Sequence, residues 1–271
     1  MEPATSPAAS FWMVVASIWA VDLIRYLLGA GLAWLAVQVL WRRRLAPRRI
    51  LQGGQPRPGQ VRRELAYSML TVLIFAANGV MTWLLVESGH LRVYGDLARH
   101  GWAWWFASLV LIVVAHDAWF YWTHRLLHHR HWFAAVHARH HASAHPTPWA
   151  AYSFHPAEAL VQAVFLPLFV AIVPTHTGVI VVFLLHMIVR NAMGHSGHEL
   201  MPWALATRGP LRWLTTVSHH HFHHARSRGN YGLYFSWWDC WCGTEDPAHR
   251  AWGDEHFGAA SGERAARRAA P

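Results

Sequence analysis

The sequence of 271 residues contains no lysine, so all 23 of its basic residues are arginine. Charged residues are scarce as well: they make up 14% of the chain, against about 25% in a typical soluble domain. Hydrophobic residues reach 54%, and 18 residues are tryptophan, which favours the membrane–water interface. This composition excludes an ordinary soluble domain and favours a membrane protein.

The chain also has only two cysteines, Cys240 and Cys242, which are too few for a disulfide framework. Its formal net charge of +9 is compatible with binding to nucleic acid. However, arginines gather beside apolar segments, as membrane topology requires. We therefore expect a membrane partner and no nucleic acid.

Five apolar segments approach the roughly 20 residues that a membrane-crossing helix needs. The last two are short and flank Pro174, so they could form a hairpin entering and leaving by one side, or a tilted pair. The predicted spans are residues 11–41, 66–86, 102–122, 157–173 and 177–192.

Two charged residues interrupt the first span. Asp22 and Arg25 stand three positions apart, a spacing that places both on one helix face. We expect them to pair.

Charge asymmetry predicts the orientation. The loop between the first two spans carries a dense arginine cluster from Arg42 to Arg63, and short basic loops stay in the cytoplasm. The N-terminus is then outside, and all dense histidine clusters are cytoplasmic. We predict an all-α, polytopic membrane helical bundle with a cytoplasmic histidine-rich metal-binding cap, formed by a single domain over 1–257. The Ala- and Arg-rich tail 258–271 has no core-forming pattern and is expected to be disordered.

Histidines recur in three boxes with helix-face spacing. One box has the pattern H-x-x-x-H and the other two have H-x-x-H-H, and positions i, i+3 and i+4 share one face of a helix. The boxes consist of His124 and His128, then His137, His140 and His141, then His220, His223 and His224.

Eight imidazoles exceed what one structural zinc needs, since such a site closes at four ligands. Two metal ions fit the number better, and neutral imidazole suits Zn, Cu, Fe and Ni alike. The alternative is a histidine-rich chelating tract, which predicts no fixed spacing and a single run. Boxes interleaved with aromatic and apolar residues favour a built site.

In its histidine boxes and the motifs around them, the chain resembles the fatty acid hydroxylase/sterol desaturase superfamily of integral-membrane di-iron enzymes. It is similar to the sterol-oxidising branches of that superfamily. HRLLH, HARHH and HHFHH appear in that family's order. DAWFYWTHR, FHPAE, GHSGHELMPW and NYG followed by WWDCWCGTEDP resemble its surrounding motifs. The likeness covers roughly residues 100 to 250.

The resemblance implies roles for individual residues. The eight box histidines would ligate iron, and His195 would be a ninth ligand. His198 stands where the sterol branches have an aromatic residue, so it is either a tenth ligand or a pocket residue. His219 and His221 flank the box, and a shift of one residue in the helix would exchange them with His220. The candidate carboxylates that would fix ligating imidazoles are Asp117, Glu158, Glu199 and Asp239, with helix caps or salt bridges as the alternative for Asp117 and Glu158.

The resemblance also implies a function. We expect a non-haem di-iron oxygenase that hydroxylates an unactivated C–H bond of a bilayer lipid, with O2 as cosubstrate and zinc possible in a purified sample. Electrons would come from a separate reductase, cytochrome or ferredoxin-type donor. The alternatives are a lipid desaturase on the same site, a non-enzymatic metal-binding or transport protein, and a scaffold that has lost catalysis. Arginine-only, alanine-rich usage suggests a GC-rich bacterial genome and hence the inner membrane.

Overall fold

The computed structural model describes residues 7–50, 54–207 and 209–257, and the predicted disordered tail 258–271 lies outside these residues. The chain is 73% helical, which confirms the predicted all-α class. Its α-helices are α1 (Pro7–Trp34), α2 (Arg42–Leu45), α3 (Gln60–Glu87), α4 (Gly101–Leu127), α5 (Ala138–His141), α6 (Pro156–Ala163), α7 (Phe165–Ile172), α8 (Thr177–Gly194), α9 (Trp203–Thr207), α10 (Val217–Arg226), α11 (Trp237–Trp241) and α12 (Pro247–Phe257).

Shorter elements connect these helices. A π-helix extends α1, and another precedes α5, while 3-10 turns fill several loops. These are the π-helices Leu35–Leu40 and Phe133–His137, the 3-10 turns Ala46–Arg48, Leu97–Arg99, Pro148–Tyr152 and Pro210–Trp213, and the strands β1 (Val93–Tyr94) and β2 (Thr175–His176).

Four helices within the described residues are long and apolar enough to cross a membrane: Ser10–Leu40, Gln60–Glu87, Gly101–Leu127 and Thr177–Gly194. They match four of the five segments that the hydropathy pattern predicted, the first of them to within one residue at its end. The segment predicted at 157–173 forms the shorter pair α6 and α7 instead. At 1.5 Å per residue these two helices together rise less than the roughly 30 Å of a bilayer core.

The long helices pack through close backbone approaches. A Cβ added to Gly29 of α1 would lie 2.6 Å from Cγ1 of Ile188 in α8. One added to Gly79 of α3 would lie 2.8 Å from Cγ2 of Ile18 in α1. Only glycine permits these approaches, as is typical of helix packing in membranes.

The predicted pair on α1 forms as expected. An Nη2 atom of Arg25 donates to Oδ1 of Asp22 at 2.5 Å, and both residues are buried. Spacing alone therefore predicted this contact.

A small parallel sheet closes the end of the bundle opposite the histidines. Val93 of β1 pairs with Thr175 of β2, and Tyr94 pairs with His176. Since β1 precedes α4 and β2 precedes α8, the N-terminal ends of both long helices meet here. Helices α6 and α7 therefore run toward this end, and α8 runs back from it, so that the three helices form a hairpin.

The arginine-rich loop lies against the histidine-bearing loops at the other end. Gln60 Nε2 donates to the carbonyl of His145 at 2.8 Å, and Arg63 donates to the carbonyl of Ala142 at 3.0 Å. Arg48 reaches the carbonyl of Leu200 at 3.3 Å. The basic loop and the histidine boxes thus share one end of the bundle.

We predict that this shared end faces the cytoplasm, because short arginine-rich loops resist translocation. The test places single cysteines in a Cys240→Ser/Cys242→Ser background, at Ser88→Cys for the β1 end and His131→Cys for the histidine end. A membrane-impermeant maleimide should label the first in intact cells and the second only after permeabilisation. The reverse pattern would contradict the orientation.

Candidate metal centre

The first histidine box lies at the C-terminal end of the long helix α4. His124 is in its last turn, and His128 caps it, with the His128 N–H donating to the carbonyl of His124 at 3.1 Å. The two rings stand 5.1 Å apart on one face. The spacing of four residues therefore places both rings on one face, as the sequence predicted, and they meet edge to face.

The second box lies on the compact segment formed by the π-helix Phe133–His137 and α5. His137, His140 and His141 are all buried. His141 stands 4.7 Å from His128, whereas His140 turns away toward His195, with ring centroids 5.3 Å apart. Neighbouring residues on a helix point about 100° apart, so this box faces two directions.

The third box occupies α10, whose start is strongly capped. Thr216 Oγ1 accepts from the N–H of His219 at 3.1 Å. Glu199 Oε2 accepts from the Ser218 N–H at 3.0 Å and from its hydroxyl at 2.7 Å. These bonds satisfy donors that a helix N-terminus leaves unpaired, and those of Glu199 hold the start of α10 against the loop that follows α8.

The nine histidines form two groups, and the candidate ligand nitrogens of each group lie within 4.8 Å of one another. Two nitrogens on opposite sides of one ion would be about 4 Å apart, given metal–nitrogen distances near 2.0–2.1 Å. Group A contains His124, His128, His137, His141 and His223, and group B contains His140, His195, His220 and His224.

Backbone carbonyls define which ring nitrogen faces each group. A carbonyl oxygen only accepts, so an imidazole that bonds to it through Nδ1 carries its proton there and presents an Nε2 lone pair. The pairs are His124 with Tyr231 (2.9 Å), His128 with Ser227 (3.1 Å), His140 with Ser153 (3.4 Å), His195 with Asn191 (2.7 Å), His223 with Gly229 (2.7 Å) and His224 with Ser143 (3.1 Å).

The inward-facing lone pairs need a cation between them. Nε2 of His124 lies 3.1 Å from Nε2 of His137, whose Nδ1 lies 2.8 Å from Glu158 Oε1. Because His124 carries its proton at Nδ1, its Nε2 brings no proton to this contact. Within the described residues, the buried Nε2 atoms of His128, His141 and His223 have no hydrogen-bond partner. Such a donor set fits a metal ion, because each buried lone pair would otherwise be unsatisfied.

Burial keeps the imidazoles neutral. Burial lowers the pKa of His128 to about 2 and that of His195 to about 4. Burial first, and then the neighbouring imidazoles, lower the pKa well below its ordinary value for His137, His140, His141, His220, His223 and His224. Neutral imidazole is the form that binds a metal ion.

Two of the four candidate carboxylates contact histidines. Glu158, at the start of α6, faces His137 of group A as described. Asp239 lies 3.3 Å from Nε2 of His219, which is outside both groups. Asp239 also accepts from the Tyr231 and Gly232 N–H groups at 2.9 Å, so it holds the loop whose carbonyl bonds His124.

The other two carboxylates, like Asp239, do not contact an imidazole of either group, which corrects our expectation for all three. Asp117 Oδ1 accepts from the backbone of Tyr234 at 2.8 Å and of Phe235 at 3.2 Å, and its Oδ2 accepts from Trp237 at 3.1 Å. Glu199 caps α10 and accepts from the Met201 N–H at 3.0 Å. Both carboxylates satisfy loop and helix N–H groups instead.

The three remaining candidate histidines lie outside the groups. Gly197, at φ 72°, turns the chain after His195, so that His198 forms a backbone bridge with Arg49. The His198 ring bonds back to the Ser196 carbonyl at 3.1 Å. His198, the candidate tenth ligand, is therefore in neither group. His219 faces Asp239, and the ring of His221 lies 4.6 Å from that of His145. The structure therefore places His220 in the box register.

The sequence matches a known protein family. The family model described as Fatty acid hydroxylase matches residues 109–244, half of the chain and all nine grouped histidines. The chain belongs to the fatty acid hydroxylase family.

Several family relatives are named for sterol oxidation. A Delta(7)-sterol 5(6)-desaturase of Gibberella zeae is 31% identical over 71% of this chain and 60% of its own length. Lathosterol oxidase of Mus musculus is 29% identical over 66% of this chain and 59% of its own. Methylsterol monooxygenase 1 of Rattus norvegicus is 29% identical over 54% and 50%. The chain thus spans about 60% of the length of the first of these relatives. No solved structure matches it.

Sequence reasoning missed two asparagines that fix the backbone near the histidine groups. Asn191 donates to the Ala151 carbonyl at 2.6 Å, while its own carbonyl accepts from His195. Asn230, at φ 55°, donates to the His219 carbonyl at 3.0 Å and accepts from the Asp246 N–H at 2.7 Å. A polar residue near the end of an apolar span was the available signal for Asn191. Asn beside Tyr-Gly, a residue type that tolerates positive φ, was the signal for Asn230.

We predict that the two groups lose metal unequally. His195→Ala would leave group B three histidines, whereas His128→Ala would leave group A four. Loss of an outer hydrogen-bond partner of a ligand typically costs about 10–100-fold in metal affinity, and loss of the ligand itself should cost at least as much. His195→Ala should therefore lose most of one metal equivalent, and His128→Ala less.

Metal analysis of the purified variants measures this difference, and the exposed His131→Ala serves as the matched control. Equal losses from His195→Ala and His128→Ala, or the same loss in the control, would contradict the grouping.

Proposed function

We propose that this chain is a membrane-bound, O2-dependent oxidoreductase that uses two histidine-held iron ions to hydroxylate an unactivated C–H bond of a lipid. The observation that carries the proposal is the pair of buried imidazole groups with inward-facing Nε2 atoms. Family membership and the sterol-oxidising names of the relatives support a lipid substrate.

In this proposal each group holds one ion. Group A supplies five nitrogens and group B supplies four, and His198 is a ligand to neither. Zinc could replace iron in a purified sample, since neutral imidazole suits both. Bound iron would supply the O2 chemistry that protein side chains lack.

The chain's own residues orient the ligands and exclude water. Backbone carbonyls of Tyr231, Ser227 and Gly229 fix the tautomers in group A, and Glu158 orients His137. Such hydrogen-bond partners raise the basicity of a ligand and set its ring direction. Eight of the nine grouped histidines are buried, so an oxidising centre here would be shielded from bulk water.

The reaction balances with external electrons. One C–H group, one O2, two electrons and two protons give one C–OH group and one water. The sequence shows no dinucleotide fingerprint or haem-attachment motif, so a separate reductase, cytochrome or ferredoxin-type protein would donate the electrons.

The position of the groups suits a bilayer substrate. His124 ends α4 and His195 follows α8, both of which are long and apolar enough to cross a membrane. A lipid could therefore reach the groups without leaving the bilayer. We place them on the cytoplasmic side of a bacterial inner membrane, from the arginine-rich loop and the arginine-only composition.

Desaturation is the second candidate, favoured by relatives named desaturase and oxidase. It begins with the same hydrogen loss, but a second hydrogen leaves and two waters form. A metal transporter is less well supported, because it would need ionisable ligands along a path through the bilayer, and both groups lie at one end.

We predict that His140→Ala abolishes the lipid product, because it removes a ligand of group B. Lipidomics of cells expressing the intact chain, His140→Ala or the control His131→Ala, grown under ¹⁸O2, measures this. Hydroxylation adds one ¹⁸O atom to a lipid, whereas desaturation removes two mass units without adding ¹⁸O. Full activity in His140→Ala, or identical lipids with and without the intact chain, would overturn the proposal.

A further inference from the structure

A row of aromatic side chains connects group A with the protein surface. Trp241 is 66% exposed, and its ring centroid lies 5.5 Å from that of Trp238. The Trp238 ring stacks on that of Tyr121 at 5.9 Å, and the Tyr121 ring lies 6.3 Å from that of Tyr231. Centroid separations of about 4.5–7 Å are those of interacting aromatic rings. The row is therefore continuous.

The inner end of the row contacts the histidines of group A. The ring centroid of Tyr231 lies 5.1 Å from that of His128 and 5.6 Å from that of His223. It also lies 5.7 Å from the ring centroid of His124. Three of the five histidines of this group thus share one phenol ring as a neighbour. An oxidant formed at group A would have an electron-rich side chain directly behind its ligands.

A branch of the row leads to a second exposed tryptophan. Trp122 is 50% exposed, and its ring lies 5.2 Å from that of Tyr121 and 6.0 Å from that of Trp238. Trp122 therefore reaches Tyr121 directly, whereas Trp241 reaches it through Trp238. Tryptophan at a membrane interface needs no such connection, because its amphipathic ring alone favours that position.

Hydrogen bonds along the row accommodate the proton that a phenol loses on oxidation. The Thr244 hydroxyl donates its one proton to Asp239 Oδ1 at 2.8 Å, so the Tyr121 hydroxyl donates to Thr244 at 2.9 Å. A proton leaving Tyr121 can thus pass through Thr244 to the carboxylate and return. Within the described residues, the buried Nε1–H of Trp238 has no hydrogen-bond partner, so an oxidised Trp238 keeps its proton.

We propose that this row carries oxidising equivalents away from group A when no lipid consumes them. A phenol or an indole gives up one electron but does not accept one, so the row conducts only toward a strong oxidant at group A. This escape route would protect the histidine ligands, since an oxidising site must also prevent side reactions. The inference rests on the proposed function, because only a redox-active ion such as iron would generate the oxidant.

Each passage along the row moves one electron inward. Tyr231 gives an electron to the oxidant and releases its phenolic proton into the surface groove that it lines. Tyr121 restores the electron to Tyr231, which regains its proton from the groove. Trp238 restores Tyr121, whose proton returns through Thr244. Trp241 restores Trp238 and is itself reduced by the external electron donor of the proposed reaction, so the net change is one electron from that donor to the oxidant.

The test supplies hydrogen peroxide to the purified protein without a lipid substrate or an electron donor, and maps oxidised tryptophan by peptide mass spectrometry. Two one-electron passages convert one indole and one H2O2 into hydroxytryptophan and H2O. The protein carries Cys240→Ser/Cys242→Ser, because these partly exposed thiols would compete as oxidation sites. Iron-loaded protein should oxidise Trp241 and Trp122 several times more than Trp132, which is 52% exposed and outside the row. Zinc-loaded protein should show no such excess.

Two variants interrupt the row at different points. Tyr231→Phe keeps an aromatic ring but removes the oxidisable phenol, so most of the excess oxidation should disappear at both Trp122 and Trp241. Trp238→Phe should remove the excess at Trp241 alone, because Trp122 contacts Tyr121 directly. Equal losses at the two tryptophans in Trp238→Phe would contradict the path.

The matched control is Tyr94→Phe, in β1 at the opposite end of the bundle, which should leave the oxidation pattern unchanged. All variants are compared at equal iron content per chain, so that a loss of metal does not imitate a broken path. The inference is overturned by oxidation of Trp241 no greater than that of Trp132, by equal oxidation in iron- and zinc-loaded protein, or by an unchanged pattern in Tyr231→Phe.

Failure here is distinguishable from failure of the proposed function. The oxidation map is read without lipid, whereas the proposed function is read from ¹⁸O incorporation and lipid loss in cells. Iron-dependent oxidation along the row in a protein that modifies no lipid would leave the path standing and refute the function. Lipid oxidation without excess oxidation at Trp241 would do the opposite.

Discussion

The structure depends on hydrogen bonds that commit imidazole Nδ1 atoms to backbone carbonyls. Each bond directs an Nε2 lone pair inward, and the resulting groups are buried, where unpaired polar atoms are costly. His124 keeps its proton at Nδ1, so its Nε2 brings no proton to the Nε2 of His137 that faces it at 3.1 Å. A cation at each group would resolve this cost and would couple folding of the cap to metal binding.

The helical bundle places these histidine–carbonyl bonds at one end of its long helices. α4 and α8 carry His124 and His195 to the same end, and the β1–β2 pairing fixes their opposite ends together. The loop after α10 then supplies the carbonyls of Ser227, Gly229 and Tyr231. Asp239 fixes that loop by accepting from the Tyr231 N–H. The orientation of the histidines at the ends of the long helices therefore depends on the loops outside these helices. Hydropathy predicts only the helices.

Sequence predicted the parts governed by periodicity. Hydropathy located the four long helices, and spacing paired Asp22 with Arg25. Helix spacing also identified the box histidines, but it did not divide them: adjacent His140 and His141 face different groups, as do adjacent His223 and His224. That division depends on how three separate helices meet, which local spacing does not encode.

The misassigned carboxylates have a related cause. Asp117 and Glu199 have the residue type that orients metal-bound histidines, but they bond to N–H groups of a loop and a helix start. Those donors become neighbours only in the folded chain, and so do the carbonyls that fix the tautomers. Backbone atoms carry no residue-specific signal, so these hydrogen bonds could not be predicted from the sequence.

The most direct test of the central claim is a structure of the iron-loaded protein, with anomalous diffraction recorded at the iron absorption edge. The account predicts two separate anomalous peaks, one surrounded by the Nε2 atoms of group A and one by those of group B. A single peak, or peaks coordinated by other residues, would contradict it.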